Sequence, residues 1–228
     1  MKRRVAALCA AVALGGCSAL GFTYSGAPIS GKVVDADTGE PLEGVNVVAQ
    51  WEMEDLRSER YAGDLLIMEA VTDGKGEYRL PGWGPLAVPA DRFPGRRLRQ
   101  GNAPTLLFFK SGYRPDALLS ELYPIPTHMG DGGESHRTSK WDGKTIPLKK
   151  FEGPIKEYAS LVSGAFGGLS LQKCQWKSIP RAIVTMTKEQ EKLAKLGVHT
   201  SPITIQRLDN DPSLPCGDVN RFFEEYLK

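Results

Sequence analysis

The sequence predicts a mainly β fold, an antiparallel β-sandwich followed by a helical C-terminal extension. Between residues 28 and 150, short alternating apolar and polar runs are separated by turns rich in Gly, Asp and Pro, as in two-sheet sandwiches. From residue 151 onward, apolar residues recur at helical spacing instead. We therefore expect a sandwich domain over residues 28–150 and a helical segment over residues 151–228.

The predicted strands are bounded by residues that favour chain reversal. Asp35–Pro41 has the composition of a turn, and Asp73-Gly74-Lys75-Gly76 is a strong hairpin signal. Residues 105–110 are almost continuously apolar, which predicts a central strand buried on both faces. Apolar alternation or a continuous apolar run predicts strands over residues 29–34, 45–51, 65–72, 77–80, 105–110, 113–118 and 141–148.

Three insertions interrupt this pattern. Residues 52–64 are polar and could extend a hairpin, residues 82–103 are rich in Pro, Gly and Arg, and residues 123–140 are rich in Gly, Ser and His. Loops of this length in a compact domain are usually functional or disordered.

Three signatures in order resemble the carboxypeptidase regulatory-like domain. They are residues 29–47, which contain Ile-Ser-Gly-Lys-Val-Val-Asp and Thr-Gly-Glu-Pro-Leu-Glu-Gly-Val, residues 72–80, and residues 107–113, which end in Gly-Tyr. The resemblance implies a seven-stranded, transthyretin-like sandwich. It implies no chemistry, because in metallocarboxypeptidases this domain lies beside the catalytic domain and carries no catalytic residues.

The C-terminal segment is predicted to contain several helices. Residues 154–166 have the apolar spacing of a helix. Residues 178–196 predict either one helix or an apolar segment followed by a second helix, for which Thr187-Lys188-Glu189-Gln190 offers a capping box. Asp218 can cap a last helix whose apolar side carries Val219, Phe222, Phe223 and Tyr226.

The N-terminus has the pattern of an export signal. Three basic residues precede a short apolar run, and Leu14-Gly15-Gly16-Cys17 resembles the bacterial lipobox. The resemblance implies a signal peptide over residues 1–16, lipidation of Cys17 and, with Ser18 next, an outer-membrane lipoprotein. Residues 17–27 would be an uncharged tether, although Phe22 and Tyr24 could form an edge strand. The alternative is an ordinary cleaved signal peptide with a chance cysteine.

Charge and cysteine usage agree with export. Of the 29 basic residues, Lys2, Arg3 and Arg4 would leave with the signal, and the remaining 26 face 27 acidic residues. This balance gives no electrostatic case for binding nucleic acid. Cys174 and Cys216 form an even pair in an oxidising compartment, which predicts a disulfide. The alternative is two free buried thiols.

An arginine cluster is a candidate for binding an anionic surface. Guanidinium groups suit phosphates and lipid headgroups, and the insertion at 82–103 offers Arg92, Arg96, Arg97 and Arg99. The alternative is an exposed solubilising loop.

Two further candidate sites have weaker patterns. Zinc ligand types gather in a glycine-rich stretch at His128, Asp131, Glu134 and His136, but their spacing matches no metal motif, so a solvated loop is the preferred interpretation. Trp83 and Trp141 flank insertions and are candidates for stacking on sugars, whereas Trp51 and Trp176 are predicted to pack internally.

No enzyme motif is found in the sequence. It contains no Gly-x-Ser-x-Gly, no His-Glu-x-x-His, no phosphate loop and no dinucleotide fingerprint. The main hypothesis is a non-enzymatic envelope lipoprotein, without a cofactor, that binds or scaffolds another protein. The alternative is a carbohydrate-binding lipoprotein module, and an enzyme ranks third.

Overall fold

The computed structural model describes residues 23–88, 95–98, 104–118, 134–137, 139–169, 171, 174–200, 202–208 and 216–228. This part of the chain contains eleven strands: β1 (Thr23–Gly26), β2 (Ile29–Asp35), β3 (Asn46–Asp55), β4 (Tyr61–Val71), β5 (Glu77–Leu80), β6 (Trp83–Ala87), β7 (Arg96–Leu98), β8 (Thr105–Phe109), β9 (Asp116–Leu118), β10 (Glu134–Arg137) and β11 (Lys144–Leu148). It also contains three α-helices: α1 (Ile155–Ala165), α2 (Pro180–Lys195) and α3 (Val219–Phe223).

The strands form a β-sandwich-like fold. One sheet has the order β4-β3-β8-β9, with β7 paired to the end of β3. Two three-stranded sheets, β11-β2-β5 and β10-β1-β6, complete the set. Ile29 pairs with Leu80 and Gly26 with Trp83. The two pairs keep one register, so the second small sheet continues the first across a break at residues 27–28 and 81–82.

The predicted mainly β class is confirmed, and two details differ. The described residues hold eleven strands instead of seven. The sheets are mixed instead of purely antiparallel, because β10 pairs with β1 and β11 pairs with β2 in parallel.

The extra strands arise in the predicted insertions. Residues 52–64 do extend a hairpin, since they complete β3 and begin β4. The insertion at 82–103 contains β6 and β7, and the one at 123–140 contains β10. β6 reads Trp-Gly-Pro-Leu-Ala and is largely exposed, so it lacks the apolar alternation by which strands are recognised in a sequence.

The end of the predicted tether is also a strand. Thr23–Gly26 form β1, which lies between β10 and β6. Tyr24 and Ser25 are buried there. Residues 17–22, including Cys17, lie outside the described residues, as does the predicted signal peptide over residues 1–16.

Two apolar clusters share the central strands β3 and β8. The inter-sheet core includes Val33, Val47, Trp51 and Phe108. The helix–sheet core lies on the other face of the same sheet, where Val48 and Phe109 meet α1 and α2. The prediction that residues 105–110 form a strand buried on both faces is therefore confirmed for Leu106–Phe109.

The helical segment covers the outer face of the large sheet. The predicted helix over residues 154–166 is observed as α1, and α2 is one continuous helix, so the alternative of a restart at Thr187 is wrong. The Thr187 hydroxyl donates to the carbonyl of Ile183 and accepts from the N–H of Ile205. These bonds occupy the oxygen that a capping box would need.

The predicted disulfide between Cys174 and Cys216 is confirmed, with their Cα atoms 5.3 Å apart. Asp218 caps α3, as expected, by accepting from the N–H of Arg221. Trp176 stacks on Phe223 with ring centroids 5.7 Å apart. Trp51 is buried in the inter-sheet core. Both internal tryptophans thus pack as predicted.

Within the described residues, no helix is long and apolar enough to cross a membrane.

Candidate functional site

The sandwich has two ends that differ in composition. β3 and β5 both begin beside the end of β2, where Leu42 and Gly76 bond to Val33. They then run in the same direction, and Trp51 of β3 meets Trp83 of β6 at 5.3 Å. We call the end with the turns at 36–44 and 73–76 the far end. The entry end comprises the start of β1, the end of β6, β7 and the turn at 56–60.

An open groove of about 680 Å³ lies at the far end, between the large sheet and α2. Gly44 and the start of β3 form its floor together with the end of β4, while α2 and the C-terminal residues form its walls. Its lining residues are Gly44, Asn46, Val71, Arg181, Val184, Thr185, Glu225 and Tyr226.

Asn46 lies beneath the surface of this groove and has an unpaired hydrogen-bond acceptor. The residue is 2% exposed, and its Nδ2 donates to the Thr185 hydroxyl at 3.1 Å. The Thr185 hydroxyl donates its own hydrogen bond to the Arg181 carbonyl, 2.9 Å away. Asn46 must therefore be the donor in this pair, which fixes its amide orientation. The remaining Oδ1 has no protein partner, and a buried acceptor without a donor is costly.

Glu69 fixes the start of α2 beside the groove. Its two carboxylate oxygens accept from the backbone N–H groups of Arg181 and Ala182, each at 2.9 Å. Burial raises the pKa of Glu69, and these two bonds oppose the rise. A carboxylate at this position also complements the positive end of the helix dipole.

The rim of the groove carries charges of both signs. The side chains of Arg181 and Glu225 are exposed. Loss of hydration and the negative charge of Glu225 both raise the pKa of Tyr226. The groove can therefore offer a guanidinium, a carboxylate and a phenol around one buried carbonyl oxygen.

A second concave surface, of about 470 Å³, lies on the small sheet around Gly31. Gly31 pairs with Tyr78 on one side and with Lys144 on the other. A Cβ on Gly31 would lie 2.7 Å from the Tyr78 hydroxyl, so the tyrosine ring covers the glycine. The hydroxyl has no partner, and burial raises the pKa of Tyr78 to about 12.

The structure places two of the predicted arginines at the entry end. Arg97 forms an ion pair with the buried Glu54 at 2.7 Å. Arg96 donates to the Ala62 carbonyl at 3.2 Å. These contacts attach β7 to β3 and β4. Arg92 and Arg99 lie outside the described residues.

The two candidate sugar-stacking tryptophans are half-buried against the inter-sheet core. Trp83 lies edge-on to Trp51, and the Lys140 ammonium lies 4.6 Å from the ring centre of Trp141. The indole N–H groups of both Trp83 and Trp141 are buried without a partner. Glycan stacking on them stays a prediction.

The structure describes two of the four predicted metal ligands. His128 and Asp131 lie outside the described residues. Glu134 and His136 belong to β10, paired with Thr23 and Ser25 of β1. Where the structure describes the chain, no three potential ligands are grouped for a metal ion.

Sequence reasoning did not identify the groove. Asn46 belongs to a strand of alternating residues and has the pattern of a polar side chain facing water. The face of β3 that carries Asn46 is instead covered by α2, which lies about 140 residues later in the chain. The one feature of the sequence that indicates burial of this face is Val48, an apolar residue on the same face of β3.

No family model matches the sequence, and no curated protein matches it. Among solved structures, the chain is similar to the major pilin SpaD from Corynebacterium diphtheriae (12% identity, 54% of this chain and 30% of the pilin, TM-score 0.27). It is also similar to the major plantain pollen allergen Pla l 1 (12% identity, 56% of this chain and 97% of the allergen, TM-score 0.28).

A third similar structure is catechol 1,2-dioxygenase from Acinetobacter sp. ADP1 (17% identity, 60% of this chain and 55% of the enzyme, TM-score 0.28). The chain thus spans under a third of the pilin and about half of the dioxygenase. With TM-scores this low, these likenesses assign no activity, ligand or partner to this chain.

Proposed function

We propose that the protein is a non-enzymatic lipoprotein of the bacterial cell envelope that binds another protein through the groove at the far end. One observation carries this proposal. The groove, with the unpaired carbonyl oxygen of Asn46, lies at the opposite end of the sandwich from Thr23, where the chain coming from Cys17 enters. A protein anchored by its entry end would present the groove away from the membrane.

Anchoring itself is inferred from the sequence. Leu14-Gly15-Gly16-Cys17 follows a basic and then an apolar segment, and Ser18 is typical of outer-membrane sorting. Acyl chains on Cys17 would give stable attachment, since two or more lipid signals are needed for it. We expect Cys17→Ala to abolish palmitate labelling and membrane fractionation. Continued labelling of that variant would contradict the anchor.

The resemblance to carboxypeptidase regulatory-like domains supports a binding role over a catalytic one. Its signatures fall on β2 with the following turn, on β5, and on β8 with the turn that ends at Tyr113. We propose that a sandwich related to this family forms residues 28–150, enlarged by β6, β7 and β10. In metallocarboxypeptidases the domain performs no chemistry, and the proposal assigns none here.

The groove fits a polypeptide that supplies a donor. The bare Gly44 lets a main chain approach closely, and a local shift of the groove wall would let an N–H of the ligand reach the buried Asn46 Oδ1. The exposed Arg181 at the rim can bind a carboxylate of the same segment. We therefore propose an acidic, extended peptide segment as the ligand.

Photo-crosslinking in cells tests this assignment. A photoreactive amino acid at Glu225, on the rim, should capture one protein partner, while the same amino acid at Ser58, on the entry end, should not. Asn46→Leu removes the acceptor with little change in volume and should reduce capture about tenfold, the effect of losing one hydrogen bond to a buried group. Equal capture from both positions, or capture unaffected by Asn46→Leu, would exclude the groove.

Carbohydrate binding is the alternative function. Trp83 and Trp141 favour it, because both side chains are only half-buried and can stack on a sugar, while their indole N–H groups are buried and take no part. Quenching of tryptophan fluorescence by envelope glycans, lost in Trp83→Phe or Trp141→Phe, would support this alternative.

A further inference from the structure

One wall of the groove is a short segment at the C-terminus. Glu225 and Tyr226 line the groove and belong to residues 216–228, which we call the C-terminal wall. The helix in this segment, α3, has five residues. Isolated helices shorter than about 12 residues are marginal in water. The C-terminal wall must therefore be held in place by its contacts with the rest of the molecule.

Hydrogen bonds do not supply these contacts. Among the described residues, every hydrogen bond of the C-terminal wall joins two residues of the wall itself. Asp218 accepts from the N–H of Arg221, and the N–H groups of Tyr226 and Leu227 donate to the Phe223 carbonyl. Side-chain packing and the disulfide are therefore the main attachments of the wall.

These two attachments meet at one point of the molecule. The disulfide joins Cys216 to Cys174. The ring centroids of Phe222 and Phe223 lie 5.0 and 5.7 Å from that of Trp176, two residues after Cys174. Loss of the disulfide would thus leave the wall held at this point by aromatic packing without a covalent link.

The two sides of this point differ in how firmly they are held. Before α2, the Gln175 side chain donates to the Asp64 carbonyl of β4 at 2.9 Å, which fixes residues 174–178 to the large sheet. In the wall, Gly217 follows the bridged Cys216 and has a φ of 73°. Glycine adopts this conformation without strain and can also leave it, so the chain can turn at Gly217. An open bridge would let the wall move while residues 174–178 stay in place.

The bridge can be approached from one of its two cysteines. Cys174 is partly exposed and has a φ of 68°, whereas Cys216 is 5% exposed. Few residues other than glycine adopt a positive φ. Exposed or strained disulfides are the ones that exchange readily with thiols. We therefore expect an external thiolate to attack the sulfur of Cys174.

We propose that the disulfide is a redox-controlled link that holds the C-terminal wall on the groove, and that a dithiol opens it. One thiolate of the dithiol attacks the Cys174 sulfur, the S–S bond breaks, and Cys216 leaves as a thiolate that takes up a proton. The second thiol of the dithiol displaces Cys174, so the dithiol becomes a disulfide and both cysteines become thiols. The groove then loses Glu225 and Tyr226. The proposal rests on the proposed function in one respect, that the groove is the binding site.

Amide hydrogen exchange of the unlipidated Cys17→Ala protein tests the release of the wall. Reduction with dithiothreitol, or Cys174→Ala combined with Cys216→Ala, should accelerate exchange in residues 216–228 about a hundredfold, the increase in opening expected from a lost bridge. Exchange in β2 and β5 should not change. Val162→Ala is the matched control, because Val162 is buried in the same core without touching the bridge. It should leave the exchange of residues 216–228 unchanged.

Photo-crosslinking then tests whether the released wall matters for binding. A photoreactive amino acid at Val71 lies on the floor of the groove, which stays in place when the wall moves. Capture of the partner from this position should fall about tenfold in the variant without the two cysteines. Val162→Ala should leave the capture unchanged.

Three results would overturn the proposal. They are unchanged exchange in residues 216–228 after reduction, equal acceleration there in Val162→Ala, and undiminished capture by a protein whose wall is released. Capture of no partner by either the bridged or the unbridged protein would contradict the proposed function instead. The exchange measurement would still decide whether the bridge holds the wall, so the two failures are distinguishable.

Discussion

The inter-sheet core and the helix–sheet core lie on opposite faces of the same strands, yet they are assembled in different ways. The inter-sheet core is built from residues 24–148, whose strands pair through a hairpin, as β3 with β4, and over long separations, as β2 with β11. The helix–sheet core joins Val48 to residues as distant as Phe223 and is closed by a disulfide. Both cores therefore need long-range contacts, but only the helix–sheet core draws on residues 151–228 and is closed by a disulfide.

Adjacent phenylalanines allow the largest test of this comparison. Phe108 faces the inter-sheet core and Phe109 the helix–sheet core, and both are fully buried. Either substitution by alanine should cost about 3–5 kcal/mol in the free energy of unfolding. Limited proteolysis should then cut first within residues 151–228 in Phe109→Ala, but not in Phe108→Ala. Identical fragment patterns would mean that the two cores unfold together. The exposed Leu86→Ala is the control.

Removing the disulfide should affect one core more than the other. Cys174→Ala with Cys216→Ala opens a loop with a sequence separation of 42, which costs roughly 2–4 kcal/mol. Trp176 packs against Phe222 and Phe223 close to the bridge, so its fluorescence should report the change. In a background with Trp51, Trp83 and Trp141 replaced by Phe, the Trp176 transition should shift to lower denaturant. Amide hydrogen exchange in β2 and β5 should stay slow. If exchange there accelerated as much as in the helical segment, the two cores would not differ in their dependence on the disulfide.

The Glu69 carboxylate links the sandwich to the helical layer. Glu69→Gln keeps one acceptor and turns an amide N–H toward the other backbone N–H of α2. This change should lower the free energy of unfolding by about 1–3 kcal/mol. Glu157→Gln is the matched control, because Glu157 is an exposed acid in the first turn of α1. A smaller loss for Glu69→Gln than for this control would refute the link.

The same residue predicts a pH dependence. Because burial raises the pKa of Glu69 from its usual 4.5, folding favours the protonated carboxyl, and the part of its contribution to stability that depends on protonation is fully present below pH 4.5. That contribution is lost as the pH rises through the higher folded-state pKa. The slope of unfolding free energy against pH above 4.5 should therefore be less negative in Glu69→Gln, as measured by urea denaturation.

Substitutions of two buried tyrosines should give the smallest difference in the free energy of unfolding. Tyr158 accepts from the N–H of Gly112 at 2.8 Å, whereas the Tyr78 hydroxyl has no partner. Tyr158→Phe should cost about 1–2 kcal/mol, because it leaves a backbone donor unpaired, and Tyr78→Phe should be within about 0.5 kcal/mol of the parent. Ultraviolet titration should show one phenol near pH 12 that Tyr78→Phe removes.

The sequence pattern predicts the strands that border the inter-sheet core. β2, β3, β4, β5 and β8 alternate or are continuously apolar because one or both faces are buried, and their turns have the required Gly and Asp. β6 and β10 could not be recognised this way. β6 contains Gly and Pro and leaves most of its side chains exposed, so pairing with β1, not burial, makes it a strand.

The groove depends on contacts that no local pattern contains. Asn46 and Val71 lie at the ends of neighbouring strands, whereas Arg181 and Glu225 come from the helical segment. Their meeting requires α2 to cross the large sheet at the position that Glu69 determines. A polar residue in an alternating strand is therefore ambiguous until the layer above it is known.

The position of β1 decides how the protein responds to a pull on its N-terminal side. A force applied there acts along β1, which is bonded to β10 on one side and to β6 on the other. The bonds of both ladders lie across the direction of pull, so they must shear together instead of opening one at a time. Thr23–Gly26 thus form a mechanical clamp, through which a load reaches two neighbouring strands and, through the buried Tyr24, the inter-sheet core before it reaches β2.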